Sequence, residues 1–184
     1  MMKSLTLRNN GLRKICRSAD FKTRKMFANG LVNSCLIYAI QVYGTATDYL
    51  LNHLQVQQNE AARLVTRLGR RTETSELLKQ VGWMSVRQMF VYHTLLMVFK
   101  ILRTGKPTHF RRMFRQSYSY QTRQFTSHCL AQLETPKTEL FRNSLRHNGV
   151  QLWNSLPTSI RNMKKLEEFK LNLKRWIPDN IQIN

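Results

Sequence analysis

Acidic residues are what this sequence has least of: ten Asp and Glu stand against thirty Lys and Arg over 184 residues, a formal net charge of +20. Only three are aspartates, Asp20, Asp48 and Asp179, and no two are adjacent. Magnesium coordination needs clustered carboxylates, so neither two-metal nucleotidyl transfer nor metal-dependent nuclease chemistry is expected. Cysteine is sparse as well. Cys16, Cys35 and Cys129 are isolated, lack the close pairing that clamps zinc, and five scattered histidines do not complete a site. They read as buried or idle thiols in a reducing compartment. Long apolar runs are missing too: the stretch Leu31 to Tyr43 is interrupted by Asn33, Ser34 and Gln41 and is too short to span a bilayer. No secretory signal opens the sequence. The first 25 residues are rich in Arg and Lys and superficially resemble a mitochondrial transit peptide, but the basic bias continues along the whole chain. An intracellular protein, nuclear or cytoplasmic, is the expectation.

What is present is enough apolar material for a core, 42 % of residues, in a chain long enough for one compact domain. An excess of +20 repels itself and attracts polyanions. RNA and single-stranded or hybrid nucleic acid are therefore the expected partners, with no cofactor, no small-molecule substrate and no membrane. An anionic membrane surface or an acidic protein could draw on the same charge.

Along the chain, residues 1–18 have no convincing period, and Asn9-Asn10-Gly11 marks a turn, which predicts an irregular extension. From Ser18 the pattern turns helical, with Phe21, Met26, Phe27, Leu31, Ile37 and Tyr38 as its apolar face and Gly44 closing it. A second helix is predicted from about Asp48 to Leu68. Leu50, Leu51, Leu54, Ala61, Leu64, Val65 and Leu68 form its stripe, opposite Gln55, Gln58, Asn59, Arg63 and Arg67. A short helix follows through Glu76, Leu77 and Leu78 to Gly82. Ser85 to Thr104, apolar on nearly every side and closed by Gly105, predicts a buried helix that is the central element of the fold. Its His93 reads as a core histidine rather than a ligand. Beyond it come a short helix near Phe110–Phe114, a loop, and a hairpin from Cys129–Leu133 and Leu140–Arg146 around Pro136. A compact run follows from Val150 to Pro157, then a last helix from Lys165 to Ile177 ended by Pro178. The expected fold is mainly α, a helical bundle with a small β-hairpin and a C-terminal helix. It divides into an extension (1–18), a helical domain (19–105) and a basic loop, hairpin and helical tail packed on it (106–184).

Two basic constellations are candidate binding surfaces. Arg13, Lys14, Arg17, Lys22, Arg24 and Lys25 could track phosphates, or could be the solvated face of a helix. The second lies in the span without acids between Glu76 and Glu134. There Lys100, Arg103, Lys106, Arg111, Arg112, Arg115 and Arg123 are interleaved with Phe114, Tyr118, Tyr120 and Phe125. Arginine forks suit phosphates and exposed aromatics suit unstacked bases; the bland alternative is a basic loop with its aromatics turned inward. Trp153-Asn154-Ser155-Leu156-Pro157 reads as structural, with Trp153 burying its ring, Asn154 bonding local backbone and Pro157 opening the next helical turn.

The order of several fragments resembles the region after the palm in LINE-type (non-LTR) retrotransposon reverse transcriptases. Leu36–Gly44 (LIYAIQVYG) and Leu54–Arg63 (LQVQQNEAAR) resemble that family's Tyr-containing helix, Trp-Gly pair and "LQ..QN.A.R" helix, with Tyr43-Gly44 where Trp-Gly is commoner. Leu78, Gly82-Trp83 and Arg87 follow, then Phe99-Lys100-Ile101 with Gly105 and Pro107, similar to "YKI..G..P". Tyr120-Gln121-Thr122-Arg123 stands where the family has Tyr-Asn-Thr-Arg. Gly149, Trp153–Pro157, Ile160-Arg161 and Phe169-Lys170 are similar to "G...WN.LP..IR.......FK". The resemblance covers residues 20–176. It implies a thumb-like helical bundle and tail that grip template and primer, a non-enzymatic C-terminal piece beginning downstream of the catalytic palm. Two other readings stay open: a transposon-derived structural or protein-interaction remnant, and an RNA-binding component of an unrelated ribonucleoprotein.

Overall fold

The computed structural model describes residues 2–111, 114, 116–118, 125–130 and 137–181. It is mainly helical, and the chain divides into two units, Met1–Phe90 with Ile181–Asn184, and Val91–Asn180. The division falls inside the long helix that continues to Thr104.

The first unit opens with α1 (Met2–Ile15), where an irregular extension was expected. Leu5 and Leu12 are fully buried in the core. Asn9, read as a turn residue, instead turns its amide inward and donates to the Gln57 carbonyl at 3.0 Å. Gly11 has open space around it; a glycine there weakens the helix by about 1 kcal/mol, which burial of the two leucines offsets.

The expected continuous helix from Ser18 to Tyr43 is broken into α2 (Phe21–Ala28), a π turn (Asn29–Asn33), α3 (Ser34–Ile37) and α4 (Ile40–Tyr43). Asp20, not Ser18, precedes its first residue. The inward residues are Arg24, Ala28, Val32, Leu36 and Ile40, all buried, whereas Phe21, Met26, Phe27, Ile37 and Tyr38 are exposed. A step of four runs ahead of the 3.6-residue α-helical turn. The wider π turn takes up that excess and keeps the five residues on one side. Ala39, at φ 53°, separates α3 from α4. A Cβ at Gly44 would overlap the Phe90 ring and the Ile40 carbonyl, so only glycine fits there.

Helix α5 (Asp48–Thr66) matches its expected span and packs against α1, α2 and α6 (Thr74–Val81). Its faces differ from expectation. Leu50 is exposed, while Gln55, Gln58 and Asn59 are buried. They form a closed amide network: Gln55 Nε2 donates to Gln58 Oε1 and Asn59 Oδ1, both at 2.9 Å. Gln58 Nε2 donates to the Met84 carbonyl at 2.9 Å, Asn59 Nδ2 to Thr74 Oγ1 at 2.8 Å, and the Val86 N–H to Gln55 Oε1 at 2.8 Å. Three consecutive segments are thereby tied to α5 through satisfied buried polar groups. Gly82, at φ 66°, ends α6; its N–H and that of Trp83 reach back to Lys79 and Leu78.

Helix α7 (Val86–Thr104) starts with a capping box: the Gln88 N–H donates to Ser85 Oγ at 3.2 Å and the Ser85 N–H to Gln88 Oε1 at 3.1 Å. Val86 and Met89 join the core of the first unit. In the second unit Val91, Tyr92, Leu95, Leu96, Val98, Phe99 and Ile101 are buried. His93 lies edge-on to Tyr92, ring centroids 5.3 Å apart. Burial first, then the charge of Lys100, holds its pKa below the usual 6.5. It is neutral at pH 7.

After α8 (Thr108–Arg111), Gln116–Tyr118 (β1) and Phe125–Leu130 (β2) form a short antiparallel ladder. The hairpin expected over Cys129–Leu133 and Leu140–Arg146 is not borne out. Its second arm is helical, α9 (Glu139–Arg142) and the start of α10 (Leu145–Ser155), because Thr138 and Ser144 cap the N–H groups of Phe141 and His147. Residues 131–136, including Pro136, lie outside the described residues. Pro157 precedes α11 (Thr158–Arg161). In α12 (Leu166–Asn180) Pro178 sits inside the last turn rather than ending the helix. So near the end it removes one intrahelical bond and the turn persists. Phe169 and Leu173 are fully buried, and Phe169 stacks on Phe99 with centroids 4.2 Å apart. Among the described residues, no helix is long and apolar enough to cross a membrane.

Candidate nucleic-acid interface

Positive charge is concentrated where the C-terminal halves of α1 and α5 run past each other. Arg13 near the end of α1 and Cys16 and Arg17 just beyond it line one side. On α5, Val56, Glu60, Arg63 and Leu64 share one face by their i, i+4, i+7, i+8 spacing, and Arg67 follows at its C-cap. With Leu68 and Arg70 from the following turn they line a cavity of about 930 Å³ within the first unit. Five guanidiniums surround it against a single carboxylate.

Local structure holds several of these groups in place. Arg67 takes the left-handed conformation (φ 61°) that ends α5, and its N–H bonds Arg63 O at 2.8 Å. From there its Nη2 reaches the carbonyls of Cys16 and Arg17 at 3.5 and 3.4 Å. It thus caps the end of α1, where carbonyls lack intrahelical partners. Arg63 Nη2 donates to Arg70 O at 3.5 Å, while its Nε is buried without a partner. Arg13 is ion-paired with Glu60. Arg17 and Arg70 are exposed. A guanidinium has five donors in a planar fork, so each of these groups retains N–H bonds for a further acceptor. The thiol of Cys16 is buried, which pushes its pKa up; the nearby charges of Arg24 and Arg67 pull the other way and do not prevail. It is a packed thiol, not a thiolate nucleophile.

The sequence constellations map unevenly onto this geometry. Arg13 and Arg17 line the cavity; Lys14 and Lys22 are exposed outside its wall, and Lys25 is half-buried. Arg24 is not a surface residue at all: it is 7 % exposed and faces the core side of α2. Lys100 and Lys106 are exposed. Arg103 is engaged within the second unit, donating to the Met163 carbonyl and lying 5.5 Å over the Phe99 ring. Arg112, Arg115, Tyr120 and Arg123 lie outside the described residues, as do the side chains of Arg111 and Tyr118. Arg63 on α5 and Arg67 and Arg70 after it were not among the expected site residues, because sequence alone does not tell which polar positions sit beside a second basic helix. The one available signal was their i, i+4, i+7 recurrence.

Trp153 is buried and lies 6.0 Å from the Phe169 ring, in the core of the second unit. Asn154 bonds backbone, but 24 residues away rather than locally: its amide accepts from the Leu130 N–H and donates to the Leu130 carbonyl, both at 2.9 Å. Among the described residues no three His, Cys, Asp or Glu side chains converge to hold a metal ion. Comparisons with family models, curated proteins and solved structures find no match to this chain.

Proposed function

We propose that the chain is a non-catalytic, nucleic-acid-gripping region of a LINE-type reverse transcriptase, corresponding to its thumb and tail, and that it holds template and primer by phosphate contacts with little reading of sequence. One observation carries the binding half of this reading: five arginines from two helices and a turn line one cavity with a single acid among them. Like charges gathered in a concavity repel one another until an anion enters, and the low-dielectric walls concentrate their field on it. The family half rests on the ordered fragments of the sequence.

A single-stranded RNA titrated at several salt concentrations tests the proposal. Log affinity should fall with log salt by about 0.7 per phosphate neutralised. Replacing exposed Arg17 and Arg70 together by Gln should flatten that slope by about 1.4 and weaken all sequences alike. Unchanged affinity and slope would remove the cavity from the interface. Primer extension with magnesium checks the non-catalytic half: nucleotide incorporation above the buffer control would overturn it.

A second reading, a protein-interaction role, is favoured by one specific observation. Phe21, Met26, Phe27, Ile37, Tyr38, Val42, Tyr49 and Leu50 are all exposed in the first unit. Where such side chains adjoin, another protein can cover them as one face. Light scattering over a concentration series distinguishes self-association at this face from a monomer.

A further inference from the structure

The cavity in the first unit is more than a charged patch, because part of its lining is apolar. Val56 is 57 % exposed, and Leu64 and Leu68 are half-buried, all three lining the same space as the arginines. A duplex presents phosphates on a stiff ridge and keeps its base faces stacked inside, so it makes no use of such apolar lining. An unpaired strand offers both a phosphate and a free π-face within one nucleotide. The volume of about 930 Å³ lies at the upper end of small-ligand cavities and accommodates such a unit.

Glu60 is the informative residue. It is the lone acid of the lining and it is paired with Arg13 from the facing helix. One of its carboxylate oxygens takes the guanidinium N–H that a phosphate oxygen could take instead. The pair is partly exposed, with side-chain accessibilities of 53 % for Arg13 and 35 % for Glu60. Such a pair is weak and exchangeable in water.

Resting on the proposed nucleic-acid binding, we infer that the cavity takes one nucleotide of an unpaired strand, its base over Val56 and its phosphate displacing Glu60 from Arg13. Glu60 thus holds the phosphate position while the site is empty, and lowers affinity when it is filled. The adjacent guanidiniums of Arg17, Arg63 and Arg70 complete the cradle.

Fluorescence anisotropy at fixed salt tests this, with a labelled 12-nucleotide RNA, an abasic strand of the same length and a duplex of equal charge. Glu60→Gln should tighten binding of the RNA by about five- to tenfold, the effect of removing one like charge about 4 Å from the phosphate in water-like surroundings. Glu73→Gln, which removes an exposed acid outside the cavity lining, should leave affinity within about twofold. The abasic strand and the duplex should both bind more weakly than the RNA. Equal effects of the two substitutions, or equal affinity for the abasic strand, would overturn the inference while leaving general nucleic-acid binding intact. So would stronger capture by phosphoinositide vesicles than by RNA. Failure of the unaltered chain to bind any strand would instead remove the reading on which it rests.

Discussion

Trp153→Ala should lower the unfolding free energy by about 3–5 kcal/mol, the range for truncating a large buried aromatic. The ring is 2 % exposed, and it shares Phe169 with Phe99, so three aromatics from α7, α10 and α12 meet in one cluster. Removing the indole deletes its contact with Phe169 and leaves a void that its surroundings cannot close without losing their own packing. A domain of this kind has about 5–15 kcal/mol to lose in all, so the second unit should melt early or fail to fold. Trp153→Phe keeps most of the volume and should cost less. Urea melts of both variants decide this, alongside RNA titration of Trp153→Phe. An unaltered melt together with lost binding would move the tryptophan from the core to the interface.

Much of the fold was legible because its signals are local. The spans of α5, α6 and α7 follow from apolar periodicity, and their ends from Gly82 and Gly105, both in the left-handed conformation. What was not legible depends on partners distant in sequence. Asn9-Asn10-Gly11 carries a turn signature, yet the Gln57 carbonyl on α5 makes a buried Asn9 favourable and α1 continues through it. The inward face of α2 to α4 is not the one an unbroken α-helix would present. With the π turn at Asn29–Asn33 the small residues go inside and the large ones outside. Leu140–Arg146 has an extended-looking pattern, yet Thr138 and Ser144 supply two caps within seven residues, a purely local signal for helix.

Several residues of the fragments that suggested a polymerase relative hold the fold, while Val56, Glu60 and Arg63 of the Leu54–Arg63 fragment line the cavity. Gly44 makes room for Phe90, Gly149 sits against Val98 and Phe114 where a Cβ would come within 3.1–3.3 Å, and Asn154 clasps the Leu130 backbone. Arg13, Arg17, Arg67 and Arg70 belong to no quoted fragment; only Arg63 does. The candidate interface was therefore half-visible. One basic run was evident from α1, but its counterpart on α5 appeared only once the two helices were placed side by side.

The most telling of these fold residues is Gln58, which the sequence placed on a solvated face and the structure buries completely. Its side chain accepts from Gln55 and donates to the Met84 carbonyl, with a longer contact of 3.5 Å to Asn33 Oδ1. Gln58→Ala should cost about 2–5 kcal/mol, since it opens a cavity and strands at least one buried backbone acceptor, itself worth about 1–3 kcal/mol. Gln58→Met separates the two effects. The thioether fills nearly the same space but cannot donate to Met84, so the polar part of the loss, about 1–3 kcal/mol, should remain. Amide exchange gives a second readout: weakening this network should raise exchange at Val86, whose N–H is held by Gln55, before it affects the second unit. A Gln58→Met variant as stable as the parent would mean that shape alone holds the segment, and that the paired glutamines and asparagine of α5 contribute no specificity to the way α6 and α7 are anchored.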